Sequence, residues 1–334
     1  MGSPVRCLVH RDDDRATRLR NAGVEVVVGN LYDWRDLRAA VRDVQRGYHC
    51  PPFDPRHLHG SVLFAMAAEE ANLEVVALMS GWNPHPVHPS ILQREHWLTN
   101  NLYRRLPFDV IHVNPGLFAF TYLLGLPAVV HLGLLALPFG DGLNAPPSNE
   151  DVGRVVAGAL EDPGDYVGRC LRPTGPRLIS PHDAAATLSD VLGRPVRYRD
   201  VSTEMFIKAA RAQRFPTFQI AQVRHYAAEH RAGAYADVTN HFEAVCRQPP
   251  EDFATIARRY INYPSNIMPG LRAGSRAGTL WRGLRMALTR ATDLDAWERS
   301  RDYAQISGGL LVHDNPDWVA AARQRQLLLQ PHTT

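Results

Sequence analysis

Short apolar runs alternate along this chain with segments in which apolar residues recur every three or four positions. Residues 5–11 and 24–28 predict two strands, separated by an acidic turn and a short helix. A further helix is predicted to open at Asp33 or Asp36 and to continue through Val44. Its apolar residues fall on one face, at Leu37, Ala40, Val41 and Val44.

The same alternation continues to residue 113. Further strands are predicted at 47–53, 74–79 and 109–113, and further helices at 60–72, 91–105, 203–230 and 251–260. Strands that alternate with helices favour a parallel sheet covered by helices on both faces. The predicted fold class is α/β: a Rossmann-like sheet with a mostly helical C-terminal subdomain. Any site would lie along the edge that the strand carboxyl ends share.

Composition narrows the functional classes. The 334 residues, 45% of them hydrophobic, suffice for one large domain or two smaller ones. The net charge of +3, from 37 basic and 34 acidic residues, is too balanced to indicate a nucleic-acid partner. Lys208 is the single lysine, which excludes mechanisms that need a lysine near the N-terminal motifs. Four widely spaced cysteines fit a cytoplasmic protein with reduced thiols. They are Cys7, Cys50, Cys170 and Cys246.

One segment has the composition of a membrane span. Residues 117–139 carry no Asp, Glu, Lys or Arg, and Arg104 and Arg105 precede them. However, Pro127 and Gly133 interrupt the run, and it follows directly on a predicted core strand. We therefore expect a buried apolar lining and no membrane partner.

Six short motifs follow one another in a fixed order, at 5–11, 22–31, 108–116, 148–152, 173–176 and 192–196. Their order and spacing resemble the NmrA-like proteins, atypical short-chain dehydrogenases/reductases, over about residues 5–200. In that resemblance Arg11 ends the family's second strand, and Asn30 stands where an aspartate is usual. Asn114 replaces the arginine of an Arg-Pro-Gly turn. The resemblance implies an NAD(P)-binding fold and oxidoreductase activity.

Two parts of the family pattern are missing from the sequence. The first strand and the glycine-rich turn that receives the pyrophosphate do not precede residue 5, so the sheet is expected to be N-terminally incomplete. Gly270, Gly274 and Gly278 have a different spacing and follow no predicted strand. The Tyr-x-x-x-Lys pair is also absent, and His96 aligns where many relatives carry a lysine. A start codon assigned too late is an explanation that stays open.

The resemblance implies NADP as the cofactor. Arg11 closes a predicted strand, where its guanidinium can fork onto a ribose 2′-phosphate. The alternative is a surface arginine among three acidic neighbours. Asn30 can contact the adenine edge, or it is a turn residue. The resemblance also implies four further cofactor-binding residues: Leu31, Cys50, Pro51 and Pro115.

His96 and Ser80 are the candidate catalytic residues. His96 can act as an acid or base or bond the nicotinamide ribose, or it is a helix-surface histidine beside Glu95. Ser80 matches an active-site serine of relatives, or it caps a strand end. Three aromatic residues are candidates for the wall of an apolar substrate pocket: Phe118, Tyr122 and Phe139. His85 and His88 have no nearby cysteine or carboxylate to complete a ligand set, so no metal site is predicted.

Three regions are predicted. Residues 1–145 form the incomplete NAD(P)-binding domain, 146–265 a substrate-side subdomain, and 266–334 a linker and helical tail. Residues 270–283 are basic and glycine-rich and are interpreted as linker, with the basic residues on a solvated face. The tail also contains Trp297 and Trp318, and it can serve as a homo-oligomerisation arm.

Two functions from different classes remain. One is an NADP-dependent oxidoreductase acting on an apolar small molecule, impaired by the missing glycine turn. The other is a non-catalytic NmrA-like sensor or partner-binding scaffold. The missing glycine turn favours the second function, whereas the retained cleft segments favour dinucleotide binding.

Overall fold

The computed structural model describes residues 3–262, 273–303, 306 and 309–311. The strands are β1 (Arg6–Val9), β2 (Glu25–Val28), β3 (Arg46–His49), β4 (Val75–Met79), β5 (Asp109–Val113), β6 (Leu134–Leu137), β7 (Cys170–Leu171) and β8 (Arg197–Asp200). The N-terminal helices are α1 (Asp14–Asn21), α2 (Trp34–Val41), α3 (His57–Glu70), α4 (Ile91–Tyr103), α5 (Leu126–Leu132) and α6 (Asn149–Glu161). The later helices are α7 (Pro181–Leu192), α8 (Thr203–Ala212), α9 (Thr217–Arg231), α10 (His241–Cys246), α11 (Phe253–Asn262), α12 (Arg276–Leu288) and α13 (Leu294–Arg299).

The described strands form three separate sheets, and every strand pair in them is parallel. β1 pairs with β2, β6 pairs with β8, and a four-stranded sheet has the order β3-β4-β5-β7. β1 and β3 share no ladder, and none of the described residues forms a strand between them. In the Rossmann order 3-2-1-4-5-6 this break is the place of the first strand, because β1 corresponds to the second. The predicted α/β, Rossmann-like fold is confirmed.

An apolar core spans the break. Leu37 of α2 packs with Phe64 of α3, and Leu8 of β1 lies against the same cluster. The Arg6 guanidinium donates to the carbonyl of Arg42, at 2.6 Å, just past the end of α2. Side-chain packing therefore connects the β1–β2 pair to the four-stranded sheet in place of strand pairing. The Arg6 bond holds β1 to the end of α2.

Capping residues set the helix boundaries. The Asp33 side chain accepts from the backbone N of Arg35 at 2.9 Å, so α2 begins after Asp33 and not at Asp36. The segment predicted as one helix over 203–230 is two helices, because Arg214 adopts a left-handed backbone conformation (φ +64°) between α8 and α9. β3 ends at His49, before the predicted limit, since Pro51 and Pro52 follow and cannot donate to a ladder.

The apolar segment 117–139 is core. It folds as a 3-10 helix at Ala119–Leu123, then α5, then β6. Tyr122, Leu126 and Leu135 are each at most 1% exposed. Among the described residues, none of the helices has both the length and the apolarity needed to cross a bilayer. The segment is buried, as predicted.

The linker prediction for 270–283 is wrong from Arg276 onward, where α12 begins. The Ser275 hydroxyl accepts from the N of Gly278 at 3.1 Å and caps this helix. α12 packs against α5 and α8, and that tertiary contact outweighs the low helix propensity of its two glycines. Gly270 and Trp318 lie outside the described residues, and the proposed domain limits remain a prediction.

Two glycines that end helices offer a matched test of packing. Gly133 and Gly193 both have left-handed backbones, with φ of +65° and +61°. A Cβ on Gly133 would lie 2.5 Å from the carbonyl oxygen of Pro195, whereas a Cβ on Gly193 would meet nothing within 4 Å. We expect Gly193→Ala to cost about 1–2 kcal/mol of unfolding free energy, from backbone strain alone. Gly133→Ala is expected to cost about 1–3 kcal/mol more, because a backbone carbonyl must move.

Urea unfolding of both variants measures this difference. Equal losses of unfolding free energy would contradict the prediction, because they would show that the Pro195 carbonyl moves away from the added Cβ without cost.

Candidate functional site

Three parallel strands end together at one edge of the four-stranded sheet. Cys50 follows β3, Ser80 follows β4 and Asn114 follows β5. α3 and α4 begin at this edge, because each follows a strand of the sheet. In open parallel sheets ligands bind outside the strand carboxyl ends, so this edge is the candidate site.

Gln93 of α4 lies close to the end of β4. A Cβ on Gly81 would lie 2.2 Å from the Gln93 Oε1, so only glycine fits at this position without displacing Gln93. Asn114 Nδ2 donates to the carbonyl oxygen of Gly81 at 2.5 Å. These contacts place the amide side chains of Gln93 and Asn114 beside Gly81, just past the end of β4.

His96 is buried, and it faces another histidine. Its ring lies edge-on to that of His57, the first residue of α3, with centroids 4.3 Å apart. Burial lowers the pKa of His57 to about 4 and holds the pKa of His96 well below its ordinary value. The predicted alternative of a surface histidine does not fit 9% exposure. At neutral pH the His96 ring is uncharged, so it can donate or accept a hydrogen bond but supplies no imidazolium.

Several buried polar atoms at this edge have no hydrogen-bond partner among the described residues. They are Ser80 Oγ, Gln93 Oε1, Asn114 Oδ1, His57 Nε2 and His96 Nδ1. Such atoms cost free energy unless a ligand or water satisfies them. The cluster therefore has the chemistry to bond ribose hydroxyls and a carboxamide.

Glu95 is a titratable group that the sequence analysis did not select. It lies beside His96 on α4, and its Oε2 has no hydrogen-bond partner among the described residues. Burial raises the pKa of Glu95 to about 7, so the carboxyl carries a proton in a substantial fraction of molecules at neutral pH. Only its position beside His96 marked it in the sequence.

A second buried group, Glu229 of α9, holds the loop before α4 in place. Its carboxylate lies 2.8 Å from His88 Nε2, accepts from Gln93 Nε2 at 3.3 Å, and accepts from the Tyr235 hydroxyl at 2.5 Å. Glu229 is 1% exposed and His88 is fully buried. The network joins the C-terminal helices to Gln93 at the site. Sequence reasoning missed it because its partners are separated by up to 141 residues.

Arg11 lies just beyond β1 and is exposed. The acidic neighbours that were expected to compete for it pair elsewhere: Asp12 with Arg20 and Asp13 with Arg15, each at 2.7 Å. Among the described residues Arg11 has no ion pair or hydrogen bond of its own. Its guanidinium is available for a phosphate.

The other predicted cofactor residues take different environments. Asn30 accepts from the N of Tyr32 at 3.0 Å through its side chain, as a turn residue does. Leu31 packs against the apolar core that spans the sheet break. Cys50 is exposed at the end of β3, Pro51 is half-buried, and Pro115 is buried after β5.

The predicted substrate residues separate into two places. Tyr122 and Phe139 pack together at 5.5 Å between ring centroids, and the Tyr122 hydroxyl lies 2.8 Å from His230 Nε2. Both aromatic residues are buried in one core cluster, whereas Phe118 packs with Val113 and Val152 in another. An open cavity of about 830 Å³ lies elsewhere, beside β8 and the end of α9. None of the three predicted substrate residues lines it.

The residues present fit the two ends of NADP better than its middle. Arg11 suits the 2′-phosphate, and the buried polar atoms beyond β4 and β5 suit the nicotinamide ribose. α1, the helix between β1 and β2, begins at Asp14 after Asp12 and the capping Asp13, and three carboxylates repel a phosphate. Among the described residues no glycine-rich turn lies beside β1 to receive the pyrophosphate.

Comparison with known proteins extends this picture. No protein-family model matches the chain. The NAD(P)H azoreductase of Xenophilus azovorans is 27% identical over 259 residues, which are 77% of this chain and 89% of that enzyme.

Solved structures have the same fold. An NADPH-dependent quinone oxidoreductase of Escherichia coli, complexed with NADPH, superposes with a TM-score of 0.67 at 19% identity, over 77% of this chain and 90% of that one. NmrA, a negative transcriptional regulator in complex with NADP, superposes with a TM-score of 0.65 at 16% identity, over 80% and 91%. Enzymes and a regulator thus share this architecture.

Proposed function

We propose that this chain, an NmrA-like protein of the atypical short-chain dehydrogenase/reductase family, is an NADPH-dependent reductase of an apolar small molecule. The observation that carries the proposal is the cluster of unsatisfied buried polar atoms at the carboxyl ends of β3, β4 and β5. That edge is where the fold binds ligands. The similarity to an NAD(P)H azoreductase supports the reaction class.

In this proposal NADPH supplies a hydride when it is bound. Arg11 pairs with the 2′-phosphate, and Ser80 and Asn114 bond the ribose and carboxamide at the other end. The neutral His57–His96 pair orients that half, because an uncharged imidazole offers one donor and one acceptor. Glu95 holds a proton near neutral pH and is the group proposed to deliver it to the reduced substrate.

The first experiment is calorimetric titration of the folded protein with NADPH and, separately, with NADH. Micromolar NADPH binding with much weaker NADH binding supports the proposal. Absence of heat with both, from a sample with folded circular dichroism, overturns cofactor-dependent catalysis. It would favour the scaffold function, in line with the acidic start of α1.

Arg11→Ala tests the cofactor preference. A charge-assisted bond to phosphate contributes about 1.5–3 kcal/mol, so NADPH should bind roughly 10- to 100-fold more weakly. NADH, which lacks the 2′-phosphate, should bind within about twofold of the unchanged protein.

Arg18→Ala is the matched control, since Arg18 is exposed on α1 and carries the same charge. Equal losses of NADPH affinity in both variants would indicate a general charge effect and remove Arg11 from the site.

A further inference from the structure

α12 presents its apolar face to solvent. Four large apolar residues on this helix are more than half exposed: Leu280 at 57%, Trp281 at 61%, Leu284 at 51% and Leu288 at 78%. They lie at i, i+1, i+4 and i+8, which is one stripe of a helix. Ala277 and Ala287 are exposed on the same side. A contiguous apolar stripe of this kind marks an interaction surface.

α12 packs on the protein through the face around Thr279 and through the side chain of Arg285, which extends from beside Trp281. Thr279 is buried, and Arg285 donates to the carbonyl oxygen of Ala212, at the end of α8, at 2.9 Å. His131 of α5 contacts the carbonyl oxygen of Gly274, just before α12, at 2.9 Å. The helix is therefore held against the body of the molecule with its apolar stripe outward.

The charge on α12 is of one sign, and Arg276 lies next to the stripe on the helix surface. α12 contains three arginines and no acidic residue, and Arg276 and Arg282 are exposed. The acidic residues of the following helix have partners: Asp295 and Glu298 both pair with Arg224. An occupant of this surface must therefore be apolar in the middle and anionic at its margin.

We propose that α12 docks on an anionic lipid bilayer surface, with its apolar stripe among the headgroups and Arg276 on a lipid phosphate. A helix of 13 residues is about 20 Å long and lies in the plane of such an interface. Tryptophan and leucine on one face with arginine beside them are the side chains that interfacial helices use. Contact of this kind needs no spanning helix.

A second copy of the chain suits the surface less well. Two α12 helices packed stripe to stripe would bring together two helices that each carry three arginines and no acidic residue. Like charges at an interface oppose association, whereas an anionic surface attracts every arginine at once.

The test is co-sedimentation of the full chain with vesicles. We expect binding to phosphatidylcholine vesicles that contain about 30% phosphatidylserine, little binding to pure phosphatidylcholine, and weaker binding at about 0.5 M NaCl. Trp281→Glu should lower the partition coefficient by about tenfold or more, because it places a charge in the stripe. Arg276→Glu should weaken the preference for the anionic lipid.

Met66→Glu is the control, since Met66 is 52% exposed on α3. It should leave the partition coefficient unchanged. Failure of the unchanged protein to sediment with anionic vesicles overturns the proposal. Equal effects of Trp281→Glu and Met66→Glu on the partition coefficient would also overturn it. A dimer that Trp281→Glu dissociates, without vesicle binding by the unchanged protein, would assign the surface to a second copy.

Discussion

Acid should unfold this protein between about pH 6 and 5. Six buried histidines have pKa values that burial lowers from the ordinary value: His49, His57, His96, His112, His230 and His241. All are at most 9% exposed. The folded state therefore keeps them neutral, and the unfolded chain does not.

The direction in which the unfolding free energy changes with pH depends on which state binds more protons. An unfolded histidine titrates near pH 6.5, so below that value the unfolded chain holds more protons than the folded one. The unfolding free energy that depends on these neutral histidines is fully present above about pH 6.5. It is lost as the pH falls toward their pKa values in the folded state, which are about 3 for His49 and about 4 for His57. One pH unit below 6.5, each such histidine costs about 1.4 kcal/mol.

The total is comparable with the stability of a whole domain. Six histidines cost on the order of 8 kcal/mol at pH 5.5. The raised pKa of Glu95 acts in the opposite sense and offsets about 2 kcal/mol. The remainder, roughly 6 kcal/mol, falls within the 5–15 kcal/mol range of typical unfolding free energies.

Denaturant unfolding at a series of pH values measures this effect. His112→Leu should lower the midpoint of acid unfolding, since neither ring nitrogen of His112 has a partner among the described residues. His182→Gln should not shift it, because the His182 side chain is 67% exposed. An unfolding free energy that stays constant from pH 8 to pH 5.5 would contradict the prediction.

Glu229→Ala should cost about 3–5 kcal/mol of unfolding free energy at pH 8. Removing one member of a buried charged network leaves the others desolvated and unpaired. Here the groups left behind are His88, Gln93 and Tyr235. The substitution also removes the contact that holds Gln93 beside Gly81, so cofactor affinity should fall together with stability.

The control is a glutamate of the same charge on the surface. Glu204 pairs with Lys208 at 2.7 Å across one turn of α8, and its side chain is 65% exposed. Glu204→Ala should cost less than about 0.5 kcal/mol, as exposed pairs do. Guanidinium midpoints measured in parallel give both values. A loss below about 1 kcal/mol for Glu229→Ala would show that water reaches the network.

Local patterns predicted the N-terminal elements well. β5 has the predicted limits, and α2 starts at one of the two caps that were proposed. These elements depend on periodicity and capping, which are properties of neighbouring residues. The helix at Arg276 was missed because its stability comes from packing against α5 and α8, and its glycines alone favour a loop.

The candidate site was predicted only where a strand end marked it. Ser80 directly follows β4 and Pro115 comes two residues after β5, so topology alone places them at the edge. His57, Gln93 and Glu229 are recognised by contacts between residues far apart in sequence, and no local pattern encodes such contacts. The roles assigned to Arg11, Asn30 and His96 remain predictions.

The break between β1 and β3 divides the hydrogen bonding of the molecule into separate units. β1 and β2 form one ladder of four residue pairs, and no strand pairing joins it to the larger sheet among the described residues. Such a unit can open without unfolding the rest, and its amide protons should exchange first. Arg11 belongs to this unit and Ser80 to the larger one. A dinucleotide that contacts both units would therefore stabilise the closed arrangement of the two. Its binding should slow the exchange of the amide protons of β1 and β2.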